Sequence, residues 1–424
     1  MTLSELLIDP KAPIPRPEWV DRINEEGRMW AEAGMLADMV PITIGSLLDA
    51  ALRETGLSDM GDPDWEEPLT VLTEALDTEA QLNLMGRLAT RSELILFIRN
   101  RLKIIDLVKR NPEIRAEPIE APIIITGLPR TGTSILQEVM HQDPRMRTPL
   151  FWETYFMGEA AASGSTDTAA RRLGDVVAQQ WVRMTPQIQT MHETAGDIPA
   201  EDASVWNYSF VSDAIMSFYQ IPSYHAWVNQ ADPGIIYKYH RLALQALQWR
   251  APKRRWFGKT LYHLGCLPRL FEAYPDARVI HTHRDPLRSM ASITNLLRTF
   301  YWSRSDRDFD NPGFEEIMVG EATAERLERV MRWRDEGAVP ASQIIDSRYQ
   351  DLMDDPAAAA AKLYAQLDLP FGQGDIDRIR HYLAFKPKHK HGAHHYRMMG
   401  PEQVSRNRPH FRRYQERYNV PDEV

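Results

Sequence analysis

The run Ile123-Ile124-Ile125-Thr126, followed by Gly127-Leu128-Pro129-Arg130-Thr131-Gly132-Thr133-Ser134, constrains this chain more than any other feature. A short, mostly apolar and β-branched run suits a strand buried on both faces, as in a parallel sheet. Beyond the loop, Ile135 with Val139 and Leu136 with Met140 repeat at helical spacing. A strand, a glycine-bearing turn and a helix together aim backbone N–H groups and the positive end of a helix dipole at one point. That arrangement suits a phosphate or a sulfate. Gly132 lets the backbone approach the anion closely, and Thr133 and Ser134 add hydroxyl donors. The glycine spacing is that of a Walker A loop, but Thr133 stands where the lysine belongs and no acidic strand end for magnesium is evident. An ATPase or GTPase is therefore disfavoured. The cation sits inside the loop, at Arg130, where it can neutralise a bridging oxygen or a group in transfer.

The rest of the chain repeats the strand-to-helix theme. Val279, Ile280 and Thr282 form a second strand from Arg278, after which Asp285 caps a helix with Pro286 at its first position. Ile344-Ile345 starts a third unit, and Asp355-Pro356 opens an alanine-rich helix. Strands alternating with helices imply an α/β fold with a mostly parallel sheet flanked by helices. Ahead of it, Trp19 to about Lys109 reads as helical, interrupted by a helix stop at Gly56 and a loop over Ser58 to Pro68, with helices resuming near Leu69. The expected organisation is a helical N-terminal extension over 1–118, an α/β core over 119–385 and a basic C-terminal tail over 386–424. The tail, rich in histidine and lysine from His389 to His395, reads as a loop that covers the site; its spacing and its lysines suit an anion better than a metal.

Composition narrows the function classes. A formal net charge of −9 does not favour a non-specific nucleic-acid binder. Cys266 is the single cysteine, so no intramolecular disulfide forms, and a packed role suits it better than a nucleophilic one. The stretch Met1 to Pro17 is acidic and proline-broken, unlike a signal peptide, and no apolar run approaches the ~20 residues a membrane helix needs. The expected setting is cytoplasmic, with the N-terminal helices offering surface for a homodimer.

Pro129-Arg130-Thr131-Gly132-Thr133-Ser134 resembles the 5′-phosphosulfate loop of sulfotransferases that use 3′-phosphoadenosine 5′-phosphosulfate (PAPS). His283-Arg284-Asp285-Pro286, with Ser292 eight positions beyond Arg284, is similar to the family's 3′-phosphate segment. Gly258-Lys259-Thr260 resembles its lysine-bearing strand end, and Arg348-Tyr349-Gln350-Asp351-Leu352 a later segment whose tyrosine lies near the nucleotide. The order fits the bacterial branch with a helical N-terminal extension, and the likeness covers about Pro122 to Phe371. It implies a P-loop-like fold, PAPS as co-substrate, no metal, and nucleotide contacts from Arg130, Thr131, Gly132, Thr133, Ser134, Arg284, Ser292 and Tyr349.

Sulfuryl transfer needs an in-line acceptor oxygen and charge compensation on the leaving phosphate. Arg130 is expected at the leaving oxygen and Lys259 near the sulfuryl group. The cytosolic small-molecule branch has a histidine two residues after that lysine; here the position is Leu261. Glu153 is the expected base, by its resemblance in position to the glutamate of tyrosylprotein sulfotransferases, with helix capping as its plainer role. His192, Glu193, Glu201, Asp202 and His263 are held in reserve. Trp206, Tyr208, Phe210, Phe218, Tyr219, Tyr224 and Trp227 either line an apolar acceptor pocket or form core. The expected acceptor is a small hydroxylated lipid, sterol or phenol. A carbohydrate or glycolipid acceptor and a non-catalytic protein that binds 3′-phosphoadenosine 5′-phosphate (PAP) are the alternatives.

Overall fold

The computed structural model describes residues 14–307, 320–386 and 399–424. Five parallel strands form one sheet: β1 (Ile123–Gly127), β2 (Met146–Arg147), β3 (Arg255–Lys259), β4 (Arg278–His283) and β5 (Ile344–Arg348), in the order β2-β3-β1-β4-β5. Central β1 is buried along its whole length, as its unbroken apolar run requires. It pairs with β3 through Ile125↔Lys259 and with β4 through Gly127↔Thr282, so the ends of β1, β3 and β4 lie side by side. The carboxyl edge of an open parallel sheet is where such folds place their ligands.

Three of these strands match their sequence signals. β2, with two residues, is too short to leave a period, and pairs with β3 from Met146 to Arg147. Helices cover the N-terminal region from Glu18 to Arg110, the longest being α1 (Leu84–Arg110). Gly56 ends its helix in the left-handed conformation at φ 67, its N–H on Leu52 O at 2.8 Å. The loop before the next helix is shorter than expected, because helical structure resumes at Glu66 rather than Leu69. The N-terminal helices share one hydrophobic cluster with the core, running from Ile42 through Ile98 and Leu247 to Phe411.

Two helices after the sheet strands matter for the site. Thr133–His141 (α2) follows the glycine loop, and Pro286–Arg304 (α3) follows β4 with Asp285 as its N-cap, accepting Leu287 N–H at 3.1 Å. The tail departs from expectation. Its His389–His395 stretch lies outside the described residues, but Pro401–Tyr418 is a helix, α4, not a loop. The reason is a sparse apolar face: Phe411, Tyr414 and Tyr418 fall at helical spacing and are buried, although almost everything around them is charged.

Candidate active site

The loop after β1 has the backbone its sequence asks for. Arg130 takes a left-handed φ of 64 and Gly132 a φ of 90, directly before α2 begins. Alternation of this kind turns successive N–H groups inward. A Cβ at Gly132 would press on the side chains of Leu352 and Tyr349 at 3.1 Å, so both conformation and space call for glycine. The Thr131 hydroxyl is engaged within the protein, on Leu128 O at 2.7 Å and Thr282 Oγ1 at 2.6 Å. It therefore ties the loop to the end of β4 instead of facing an anion.

The two anion motifs meet. Arg130 Nε donates to Ser292 Oγ at 3.1 Å and its Nη1 to Met191 O at 3.0 Å. Arg284 Nη1 donates to Arg130 O at 3.0 Å, and its guanidinium lies 3.8 Å from the ring centre of Tyr349. Arg130, the pair Arg284 and Ser292, and Tyr349 thus come together from three separate segments, as their spacing in the sequence could not show by itself.

Lys259, at the end of β3 and only 2% exposed, reaches the same edge. Its Nζ is 3.4 Å from Ser134 Oγ at the start of α2 and bonds the Glu201 carboxylate directly. Glu201 immediately precedes the short helix Asp202–Val205 and keeps a third of its side chain exposed (33%). Lys386, where the tail begins, bonds Glu138 at 2.7 Å and Glu193 at 2.5 Å.

Glu153 stands elsewhere. One oxygen accepts Leu150 N–H at 2.8 Å at the start of its own helix, and the other takes Arg147 at 3.2 Å and the Ser165 hydroxyl. Both oxygens of this buried carboxylate serve the local structure, which withdraws it from the role of base. His263 is withdrawn as well. It lies in a 3₁₀ turn, fully buried, with Nε2 on Asp202 at 3.2 Å and Nδ1 on the Tyr237 hydroxyl at 3.0 Å.

His192 is electrostatically part of the site. Burial first, and then the charge of Lys259, pushes its imidazole down to about 4. A free imidazole titrates near about 6.5, so on acidification the unfolded chain takes the proton first. The stability His192 contributes is complete above about pH 6.5 and is lost as the pH falls toward about 4. Its ring resonances should therefore stay flat in an NMR titration from about pH 8 to about pH 5; a midpoint near 6.5 would show that neither burial nor the charge of Lys259 depresses it.

One cluster has metal-like composition. His281, His283 and Asp346 bring their ligand atoms within 4.8 Å of one another. Arg334 already takes both Asp346 oxygens, at 2.7 and 2.9 Å, and His283 Nε2 adds a contact at 2.9 Å. A cation there would face a guanidinium across a shared carboxylate. With Tyr414 on His283 Nδ1 at 2.9 Å, the cluster instead secures the strand end just before Arg284.

The sulfotransferase family model matches residues 122–373, more than half of the chain, and spans every motif above up to Tyr349. The chain belongs to the sulfotransferase family. The omega-hydroxy-beta-dihydromenaquinone-9 sulfotransferase Stf3 of Mycobacterium tuberculosis and Mycobacterium bovis is 25% identical over 277 residues, 62% of this chain and 67% of the relative. Among solved structures, sulfotransferase STF9 of Mycobacterium avium superposes with a TM-score of 0.77 at 24% identity, covering 90% of this chain and 98% of its own. STF1 of Mycobacterium tuberculosis gives 0.68 at 27% identity, with 80% and 93% covered. The P-loop-like fold, the N-terminal helices and the enzyme class are thereby shown. No single helix among the described residues is long and apolar enough to cross a membrane.

In this sulfotransferase the aromatic run divides. Trp206, Tyr208, Phe210 and Tyr224 are core, at 0–1% exposure. Phe218 and Tyr219 instead line a narrow cavity of about 30 Å³ with Phe97, Tyr155 and Trp181. One wall is polar: Arg304 is held by Glu93 at 2.8 Å and by the Tyr219 hydroxyl at 2.8 Å. Ser204, one helical turn beyond Glu201, also lines the cavity. Oδ1 of Asn207, another lining residue, has no hydrogen-bond partner among the described residues.

Proposed function

We propose that this enzyme moves a sulfuryl group from PAPS to the hydroxyl of a small, largely apolar acceptor such as a lipid, sterol or phenol. The observation that carries the reading is the junction of the two anion motifs, Arg284 on the carbonyl of Arg130 and Arg130 on Ser292. A nucleotide with phosphate at both its 3′ and 5′ positions has the two anionic ends that such a junction serves; ATP lacks the 3′ one. The glycine loop, Arg130 and Ser134 hold the 5′ end, and Arg284 with Ser292 holds the 3′-phosphate, with Tyr349 flanking Arg284. The fit rests on donors already converging at the sheet edge, and no metal is needed for it.

Glu201 accepts the proton of the acceptor hydroxyl in this scheme. The acceptor oxygen bonds to sulfur as the bond from sulfur to the 5′-phosphate oxygen breaks, leaving the sulfate ester and PAP. Lys259 and Arg130 compensate the charge that gathers on the leaving oxygen. The acceptor's apolar body enters along the aromatic residues Phe97, Tyr155, Trp181 and Phe218, whose narrow cavity must widen to admit it. The relative Stf3 is named for a hydroxylated menaquinone, and an aromatic lining that includes Ser204, three residues beyond Glu201, suits a compound of that class.

Calorimetry with PAP, ADP and ATP tests the donor assignment. The wild type should prefer PAP, and Arg284→Ala should weaken PAP binding by roughly a hundredfold, as expected when a charge-assisted pair to phosphate is removed. Equal affinity for the three nucleotides, or no loss in Arg284→Ala, would remove the 3′-phosphate site from the scheme.

A further inference from the structure

Arg284 already holds an anion of the protein's own. Its Nε and Nη2 donate to the two oxygens of the Glu423 carboxylate at 2.9, 3.1 and 2.7 Å. This fork is the geometry a guanidinium also adopts on phosphate. Glu423 does not arrive there by side-chain flexibility alone. Its backbone N–H is anchored on Asp285 Oδ2 at 2.7 Å, next in sequence to Arg284. Asp285, fully buried, is in turn gripped through both oxygens by Arg408 of α4 at 2.6 and 2.9 Å. Arg408 also bonds Val424 O at 2.7 Å, so the segment carrying Glu423 is fastened on both sides of it.

We propose that Glu423 is an internal anion occupying the subsite of the nucleotide's 3′-phosphate, and that it sets the enzyme's affinity and selectivity for 3′-phosphorylated nucleotides. The proposal rests on the assignment of Arg284 made above. Binding is then an exchange of anions. A phosphate carries between one and two negative charges near neutral pH, and a carboxylate left beside it is repelled. Glu423 therefore gives up Arg284 as the 3′-phosphate arrives. The apparent affinity is reduced by the fraction of molecules in which Arg284 is available. A pair formed about nine-tenths of the time lowers it about tenfold. Nucleotides without a 3′-phosphate gain nothing from displacing Glu423, so the pair weighs only on the ligand that needs Arg284.

The test is calorimetric titration at fixed ionic strength of the full chain as wild type, Glu423→Gln, Arg284→Ala and the double variant, with PAP and with ADP. Glu423→Gln should bind PAP about tenfold more tightly and ADP as before. In the Arg284→Ala background the same change should have no effect. Equal or weaker PAP binding by Glu423→Gln, with Arg284→Ala still impaired, would overturn the proposal and leave the 3′-phosphate assignment standing. Undiminished PAP binding by Arg284→Ala would overturn both. Should Glu423→Gln disturb folding, as read by thermal unfolding, Glu423→Asp keeps the charge and withdraws it by one methylene. It should still bind PAP more tightly than the wild type, and no gain there would count against the proposal equally.

Discussion

Glu201→Gln is expected to lower kcat by roughly two to four orders of magnitude while leaving PAP affinity within a few-fold, because it removes a proton acceptor and keeps the shape of the side chain. The argument starts from contact. Glu201 bonds Lys259, and Lys259 stands over Ser134 at the head of the loop helix, so the carboxylate sits where sulfuryl transfer takes place in the proposed scheme. It is also partly exposed, at 33%, leaving an oxygen to an incoming hydroxyl. Glu153→Gln provides the contrast. That residue is engaged by Leu150, Arg147 and Ser165, so its loss breaks a buried pair and should cost about 3 kcal/mol of stability with kcat nearly unchanged in the folded fraction. Single-turnover rates for the two variants, set beside their urea midpoints, separate the cases. A large loss of turnover in Glu153→Gln at normal stability, with Glu201→Gln active, would exchange the two assignments.

The reason sequence alone favoured Glu153 is instructive about what sequence carries. The anion motifs are legible because their demands are local: a left-handed turn at Gly132, a helix start after it, an arginine at a strand end and a serine two turns into the next helix. The buried strands are legible because β1 opens on three isoleucines and β4 carries Val279-Ile280 ahead of the Asp285-Pro286 helix start. Glu153 takes the backbone N–H of Leu150, but leucine at the helix start leaves no capping signature in the sequence to mark that role. Glu201 reaches a lysine 58 positions away, a pairing that no local pattern marks. The aromatic run failed for a related reason. Trp206 in the core and Phe218 at the cavity differ only in which elements pack over them. The C-terminal helix was obscured by charge, since three aromatic residues carry its buried face. Glu423, one acid among many near the chain's end, shows its meaning only once Asp285 is seen to hold its backbone.

Asp202→Ala is expected to cost about 3–5 kcal/mol of stability, the scale for stranding partners of a buried charge. Asp202 is 1% exposed. Burial opposes its charge, but the imidazoles of His240 and His263 outweigh that and hold its carboxyl well below the usual range. With a depressed folded pKa, its contribution is present above the unfolded carboxyl value of about 3.8 and is lost as the pH falls through the folded one. The full deficit should therefore be measurable near pH 7. The network extends to Tyr237 on His263 at 3.0 Å and Tyr274 on His240 at 2.9 Å, so removing the carboxylate leaves several buried polar groups with their order disturbed. Asp202 also lies against Gly258, where a Cβ would overlap its carboxylate. Gly258→Ala pushes on the same contact from the sheet side and should reproduce the loss, whereas Asp202→Asn, which keeps the volume, should recover part of it. The contact with Gly258 joins the helix that begins after Glu201 to the strand that ends in Lys259. Activity per folded molecule should therefore fall along with the urea midpoint in Asp202→Ala. A variant that unfolds at the wild-type midpoint would show that the carboxylate is not what fastens this helix to the sheet.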